Sequence, residues 1–149
     1  MIRIQSEAFD PGDELARLKA GNPNIGGTVV FLGSVRDVSD GNAVSAITLE
    51  HYPGMTEKAL EEIDAEARRR WPLDASLIVH RYGRLRPGED IVLVITASAH
   101  REAAFEACHF LIDWLKTKAP FWKFEEGARS AQWVAAKDSD DTAARRWDK

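Results

Sequence analysis

Pro120 constrains this chain more than any other single residue. The stretch around it, from Asp113 to Lys123, reads Asp-Trp-Leu-Lys-Thr-Lys-Ala-Pro-Phe-Trp-Lys. Proline has no amide hydrogen and disfavours helix at the residue before it. A helix arriving from the N-terminal side must therefore stop near Lys118, and the chain then turns among aromatic rings. Upstream, Ala104, Ala107, Cys108, Leu111 and Leu115 recur on one face, with Phe105, Phe110 and Ile112 widening it. This predicts a helix from near His100 to about Lys118 whose apolar surface suits burial or a subunit interface. Lys116 falls on its last turn and Lys123 just past the aromatic turn, where both ammonium groups can face one pocket.

The rest of the chain alternates between strand and helix signals. Ile2 to Ile4 suits an edge strand, and Asp10 suits the cap of a short helix from Glu14 to about Ala20. Thr28-Val29-Val30-Phe31-Leu32 is a continuous β-branched and apolar run, as expected for a strand buried on both faces. Val38 to Val44, rich in Ser, Asp, Gly and Asn, reads as a mobile loop able to act as a lid. Ala46 to Tyr52 alternates, with Ile47, Leu49 and His51 on one face. Thr56 is positioned to cap a helix to Arg70 with Ala59, Leu60, Ile63 and Ala67 as its stripe. Strands over Ser76 to Tyr82 and Asp90 to Ser98 read as a hairpin around Arg86-Pro87-Gly88-Glu89. Gln132-Trp133-Val134 suits a last short strand, and the tail from about 138 to 149 has little to bury and is expected to be flexible. The order is α+β, with a mixed or antiparallel sheet. At 149 residues the chain suits one domain, 1–149.

Composition narrows the functions. With 20 Lys and Arg against 24 Asp and Glu the net charge is -4, which argues against broad nucleic-acid binding and leaves any anion site to a local cluster. No apolar run is long enough for a membrane helix and the N-terminus lacks a signal-peptide centre, so the expected place is the cytoplasm. One cysteine, Cys108, permits no internal disulfide and no cysteine-based zinc site, and its position on the apolar stripe suits a core residue better than a nucleophile. His51, His80, His100 and His109 contain no pair at metal-ligand spacing, so no metal is expected.

The basic residues offer three candidate sites. His100-Arg101 at a helix start would add a guanidinium to free backbone amides and the helix dipole, or else form a plain solvated terminus. Arg36, at a strand exit beside the Gly-rich loop, is placed as binding residues often are, or pairs simply with Asp37. Lys116 and Lys123 among aromatic rings suit lysines used as acid, base or nucleophile, or else finish a helix while the rings fill the core. Arg101 and Lys116 are fifteen positions apart on one predicted helix, about 22 Å at roughly 1.5 Å per residue. One chain cannot bring both to a small ligand, whereas a two-fold dimer can; a homodimer with shared sites is expected.

Leu49-Glu50-His51-Tyr52-Pro53-Gly54-Met55, Ser98-Ala99-His100-Arg101 and Leu115 to Lys123 resemble the signature segments of the large, catalytic subunit of molybdopterin synthase. The resemblance runs from Gly27 to Trp147. It implies an α/β hammerhead-type fold and a dimer of large subunits. Each would bind a small ubiquitin-like sulfur carrier with a C-terminal Gly-Gly thiocarboxylate, giving a heterotetramer. The implied reaction converts cyclic pyranopterin monophosphate to molybdopterin by two sulfur transfers, without a cofactor in the large subunit. Carried over by position, Arg36, His100 and Arg101 would hold the phosphate, and Lys116 and Lys123 would position the thiocarboxylate and assist proton transfer. Ser34, Val35, Phe124 and Glu125 would line the site. Ser34 and Lys137 stand where some relatives carry a basic residue and an arginine, which is expected to weaken phosphate affinity. The alternatives are a non-catalytic scaffold that binds a peptide tail or anionic metabolite, and a single-strand nucleic-acid module stacking bases on the Trp residues.

Overall fold

The computed structural model describes residues 1–127, 131–134 and 138–148. These form nine strands and four helices: β1 (Ile2–Gln5), α1 (Pro11–Lys19), β2 (Gly27–Ser34), β3 (Val38–Ser39), β4 (Asn42–His51), α2 (Met55–Arg70), β5 (Ala75–Arg81), β6 (Gly83–Leu85), β7 (Asp90–Ser98), α3 (Arg101–Lys118), β8 (Phe121–Gly127), β9 (Ala131–Val134) and α4 (Asp138–Arg145). One sheet has the order β1-β5-β7-β2, parallel only between β1 and β5. The other runs β3-β4-β8-β9, and β6 also pairs with β4. The α+β expectation holds.

The first sheet is covered on both faces because its central strands are apolar on both. Ile78 of β5 and Val92 and Val94 of β7 pack under Leu60, Ile63 and Ala67 of α2 and Phe110, Leu111 and Leu115 of α3. On the other face Leu77, Val79, Leu93 and Ile95 meet Leu15 and Leu18 of α1. The second sheet has a smaller core of Val44, Ile47, Leu49 and Leu85. Ile91, at the start of β7, packs against that core and against the first sheet's, joining the two.

Local chemistry explains the element ends. Asp10 caps α1, its carboxylate accepting from the Asp13 N–H at 3.0 Å. For α2 the expected Thr56 cap is corrected. Gly54, at φ 86°, is the N-cap, and Glu57 reaches back to its N–H. Thr56 is buried inside the first turn, where its hydroxyl donates to the Tyr52 carbonyl at 2.8 Å. The Ala119-Pro120 break is a tight turn in which the Phe121 N–H donates to the Ala119 carbonyl at 2.9 Å.

Three further expectations are corrected and one is extended. Strand β2 lies at a sheet edge, so Val30 and Leu32 are 42% and 41% exposed rather than buried on both faces. The 38–44 segment is the β3–β4 hairpin, closed by Asp40 and Gly41, both at positive φ as a two-residue hairpin turn requires. The expected β5–β7 hairpin holds, the two strands pairing antiparallel, and its connection contains β6, which pairs with the second sheet. The 138–148 tail is not loose. It forms α4, and Trp147 packs edge-on against Phe110 and Trp71 while its Nε1–H donates to Asp113 Oδ2 at 2.7 Å.

Candidate active site

The chain leaving Pro120 does more than turn. It enters β8, antiparallel to β4, with Lys123 opposite Leu49, Phe121 opposite His51 and Glu125 opposite Ile47. Because side chains alternate along a strand, Phe121, Lys123 and Glu125 share the face that carries Ile47 and Leu49. That face closes a cavity of about 240 Å³ against the last turn of α3 and the ends of β2, β5 and β7. Lys116 lines it from the helix, Lys123 and Phe121 from β8, Ser34 from β2 and His80 from β5, with Asp140 of α4 at its side.

The turn separates the three lysines of the opening stretch. The ammonium of Lys118 sits 4.7 Å from the centroid of Trp114, a cation–π contact. Lys116 and Lys123 are the two that reach the cavity. Lys123 pairs with Glu125 at 3.6 Å, and the Ser34 hydroxyl donates to Asp90 at 2.9 Å. Trp122 also lines the cavity, whereas Phe124 falls on the opposite face of β8, where it meets Trp133 at 5.3 Å. Within one chain Phe124 is therefore not brought to the cavity.

His100 and Arg101 stand at the far end of α3. His100 is the N-cap residue, in extended backbone, and Arg101 opens the helix. The helix is continuous from Arg101 to Lys118, so this pair stays about 22 Å from Lys116. Glycines hold their corner close to β2. A Cβ on Gly26 would lie 2.0 Å from the Ala99 carbonyl oxygen, and one on Gly27 would lie 3.1 Å from the Arg101 Cα. Arg36 is exposed just beyond β2, whereas Val35 is buried, its N–H donating to the Glu89 carbonyl at 2.9 Å. Lys137 lies outside the described residues.

Sequence reasoning missed His80 and Phe121, whose rings stack at 3.7 Å and 16°. A histidine two residues after Ile78, on the same strand face, was the available signal, but it has no partner at a telling spacing. Burial, opposed by a hydrogen bond to the Arg81 carbonyl and reinforced by the charges of Lys116 and His51, lowers His80 to about 4. Burial likewise pushes the Cys108 thiol up to about 11, so no nucleophilic thiolate is available there. Among the described residues no group of three or more His, Cys, Asp or Glu side chains is gathered as a metal site needs. No helix among them is long and apolar enough to cross a membrane.

A larger cavity, about 510 Å³, lies elsewhere, between β1, α1 and α2. Its charges are largely matched among themselves, Arg3 and Arg17 pairing with Glu14 and Arg68 with Asp64. The smaller cavity, where Lys116 and Lys123 converge, is the better candidate for chemistry.

Proteins of this architecture form a defined class. The structure of the molybdopterin biosynthesis MoaE protein from Burkholderia ambifaria matches with a TM-score of 0.85 at 52% identity, over 100% of this chain and 98% of that one. Molybdopterin synthase from Staphylococcus aureus matches at 0.81 and 32% identity, over 89% and 96%. The family described as MoaE protein matches residues 4–118. The molybdopterin synthase catalytic subunit of Pseudomonas aeruginosa is 58% identical over 147 residues, 99% of this chain and 98% of that protein. The chain belongs to the MoaE family, the catalytic subunits of molybdopterin synthase.

Proposed function

We propose that this chain transfers sulfur from the C-terminal thiocarboxylate of a small ubiquitin-like partner to cyclic pyranopterin monophosphate, making the dithiolene of molybdopterin. The observation that carries the reading is the convergence of Lys116 and Lys123 on one cavity across the Pro120 turn. A narrow cavity suits a Gly-Gly tail, which has no side chains to exclude. Two ammonium groups suit a thiocarboxylate and the oxyanion that forms when water adds to the acyl carbon. The thiocarboxylate sulfur first bonds to a side-chain carbon of the pterin as that carbon loses an oxygen substituent, and hydrolysis of the resulting thioester leaves sulfur on the pterin and a carboxylate on the carrier. Cys108 is buried, which fits a sulfur supplied from outside.

The phosphate falls to Arg36, His100 and Arg101. Since α3 keeps Arg101 far from Lys116, His100 and Arg101 serve the cavity of the neighbouring subunit in a homodimer, and with two carriers the assembly is a heterotetramer. Glu125 holds Lys123, and Ser34 lines the entry. We place the protein in the cytoplasm, as its composition suggests.

The test is Lys116→Ala, assayed with precursor and thiocarboxylated carrier. The variant stays dimeric and binds the carrier but forms no dithiolene; normal turnover would overturn the role. A wild-type chain that binds carrier and precursor yet yields no product would favour a scaffold instead.

A further inference from the structure

His80 is the buried titratable group of the cavity that has no task in this reaction so far. It is 6% exposed, on β5, between Ile4 of β1 and Val92 of β7. Phe121 covers one face of its ring. Nδ1 lies 2.8 Å from the Arg81 carbonyl oxygen. A carbonyl only accepts, so Nδ1 carries the hydrogen, and Nε2 of the neutral ring keeps a free lone pair. With one face stacked and Nδ1 taken by the backbone, the edge bearing Nε2 is what the ring offers to the cavity. Lys116 lines the same cavity, and its ammonium has three donors on a long, flexible stem. A neutral acceptor orients an ammonium without cancelling its charge, which a carboxylate would do.

Resting on the reading of Lys116 as the acting lysine, we propose that His80 is a positioning residue: its Nε2, which makes no hydrogen bond to Lys116 in this structure, accepts one from the Lys116 ammonium when the carrier tail fills the cavity and so fixes where that charge sits. The Phe121 stack holds the imidazole in register, so the turn after Pro120 sets both the acting lysine and its guide. His80 acts through Lys116 rather than on the substrate.

Two variants separate this role from packing. His80→Phe keeps ring volume and the stack but has no acceptor; His80→Gln loses the stack but presents an amide oxygen. His80→Phe folds, binds carrier with wild-type affinity and lowers kcat roughly ten- to a hundred-fold with KM little changed, the size expected for a misplaced catalytic group. His80→Gln melts lower yet keeps kcat within a few-fold. The reverse pattern, an active Phe variant and an inactive Gln variant, overturns the proposal and leaves His80 a packing residue. Nitrogen-15 NMR of the side chains in the carrier complex supplies a readout independent of turnover: the Lys116 ammonium is protected from solvent exchange in the wild type and in His80→Gln and loses that protection in His80→Phe. Equal exchange in all three proteins refutes the hydrogen bond even if the wild type makes product. Protection lost only in His80→Phe, in a protein whose wild type makes no product, keeps the bond while the sulfur-transfer reading fails.

Discussion

Arg101 and Lys116 stand on one unbroken helix, Arg101–Lys118, fifteen residues apart and toward its opposite ends. Their separation, about 22 Å, makes a shared site testable by complementation. Arg101→Ala and Lys116→Ala should each be inactive alone. When the two are unfolded together and refolded, half the dimers are mixed and each mixed dimer holds one intact site, so about a quarter of wild-type activity should return. No recovery in proteins shown to be mixed dimers would mean that each chain builds its site alone.

The start of α3 depends on a backbone contact. Gly26 donates its N–H to the Ser98 carbonyl at 2.9 Å, and its missing Cβ leaves room for the Ala99 carbonyl. Gly26→Ala must push the 98–101 corner away. The expected cost is about 1–3 kcal/mol, as for other overpacked sites, with product formation falling further because His100 and Arg101 move with the corner. Urea unfolding and turnover measured on the same preparation check both parts. Unchanged stability would show that the corner yields freely.

Helix α3 and the lysine pair were legible in the sequence because two strong local rules meet there. The spacing of Ala104, Ala107, Leu111 and Leu115 marks one helix face, and Pro120 marks where it must end. Strand β8 was hidden because both its faces mix rings with charge: Phe121, Trp122 and Lys123 line a cavity, while Glu125 pairs with Lys123 and Phe124 meets Trp133. A strand lining a site loses the clean alternation that reveals other strands. The run Thr28–Leu32 misled in the opposite sense, since an apolar run does not say whether its strand is central or at an edge. Asp40-Gly41 was a hairpin signal in plain view, outweighed by its polar neighbours. His80 left no pattern, because Phe121 and Lys116 meet it only after folding.

His80 also predicts how stability depends on pH. Burial, together with Lys116 and His51, holds its native value to about 4, against 6.5 for the free side chain. Lys116 from α3, Lys123 from β8, His51 from β4 and Asp140 from α4 surround the cavity or the stacked ring, with Arg81 next in the strand. Between pH 6.5 and 4 the unfolded chain binds the extra proton, so stability falls as pH drops through that window and this contribution levels off below it. The full loss is about 3 kcal/mol at roughly 1.4 kcal/mol per pH unit. The melting temperature of His80→Phe should therefore fall less steeply than the wild type's between pH 6.5 and 4. Parallel curves would show that other groups set the acid limit.

Trp147 ties the C-terminal segment to α3 and thereby holds Asp140 near the cavity. Its indole N–H meets Asp113 Oδ2 at 2.7 Å, and its ring lies 5.5 Å from Trp71 and 5.8 Å from Phe110. Asp113 is 9% exposed, so losing a partner leaves a mostly buried carboxylate to Arg146 at 3.5 Å and His109 at 3.4 Å. Trp147→Phe keeps the rings in contact and removes only the hydrogen bond, at about 1–2 kcal/mol for a charged acceptor. Trp147→Ala also loses the packing of a half-buried ring and should cost about 2–3 kcal/mol, below the range for a fully buried tryptophan. If α4 depends on this anchor, the Ala variant should also expose the 138–148 segment to protease while α3 stays protected. Equal stability of both variants and the wild type would mean that the tail is held by α4 itself, with Ala144, its one buried side chain among the described residues, as the contact that matters.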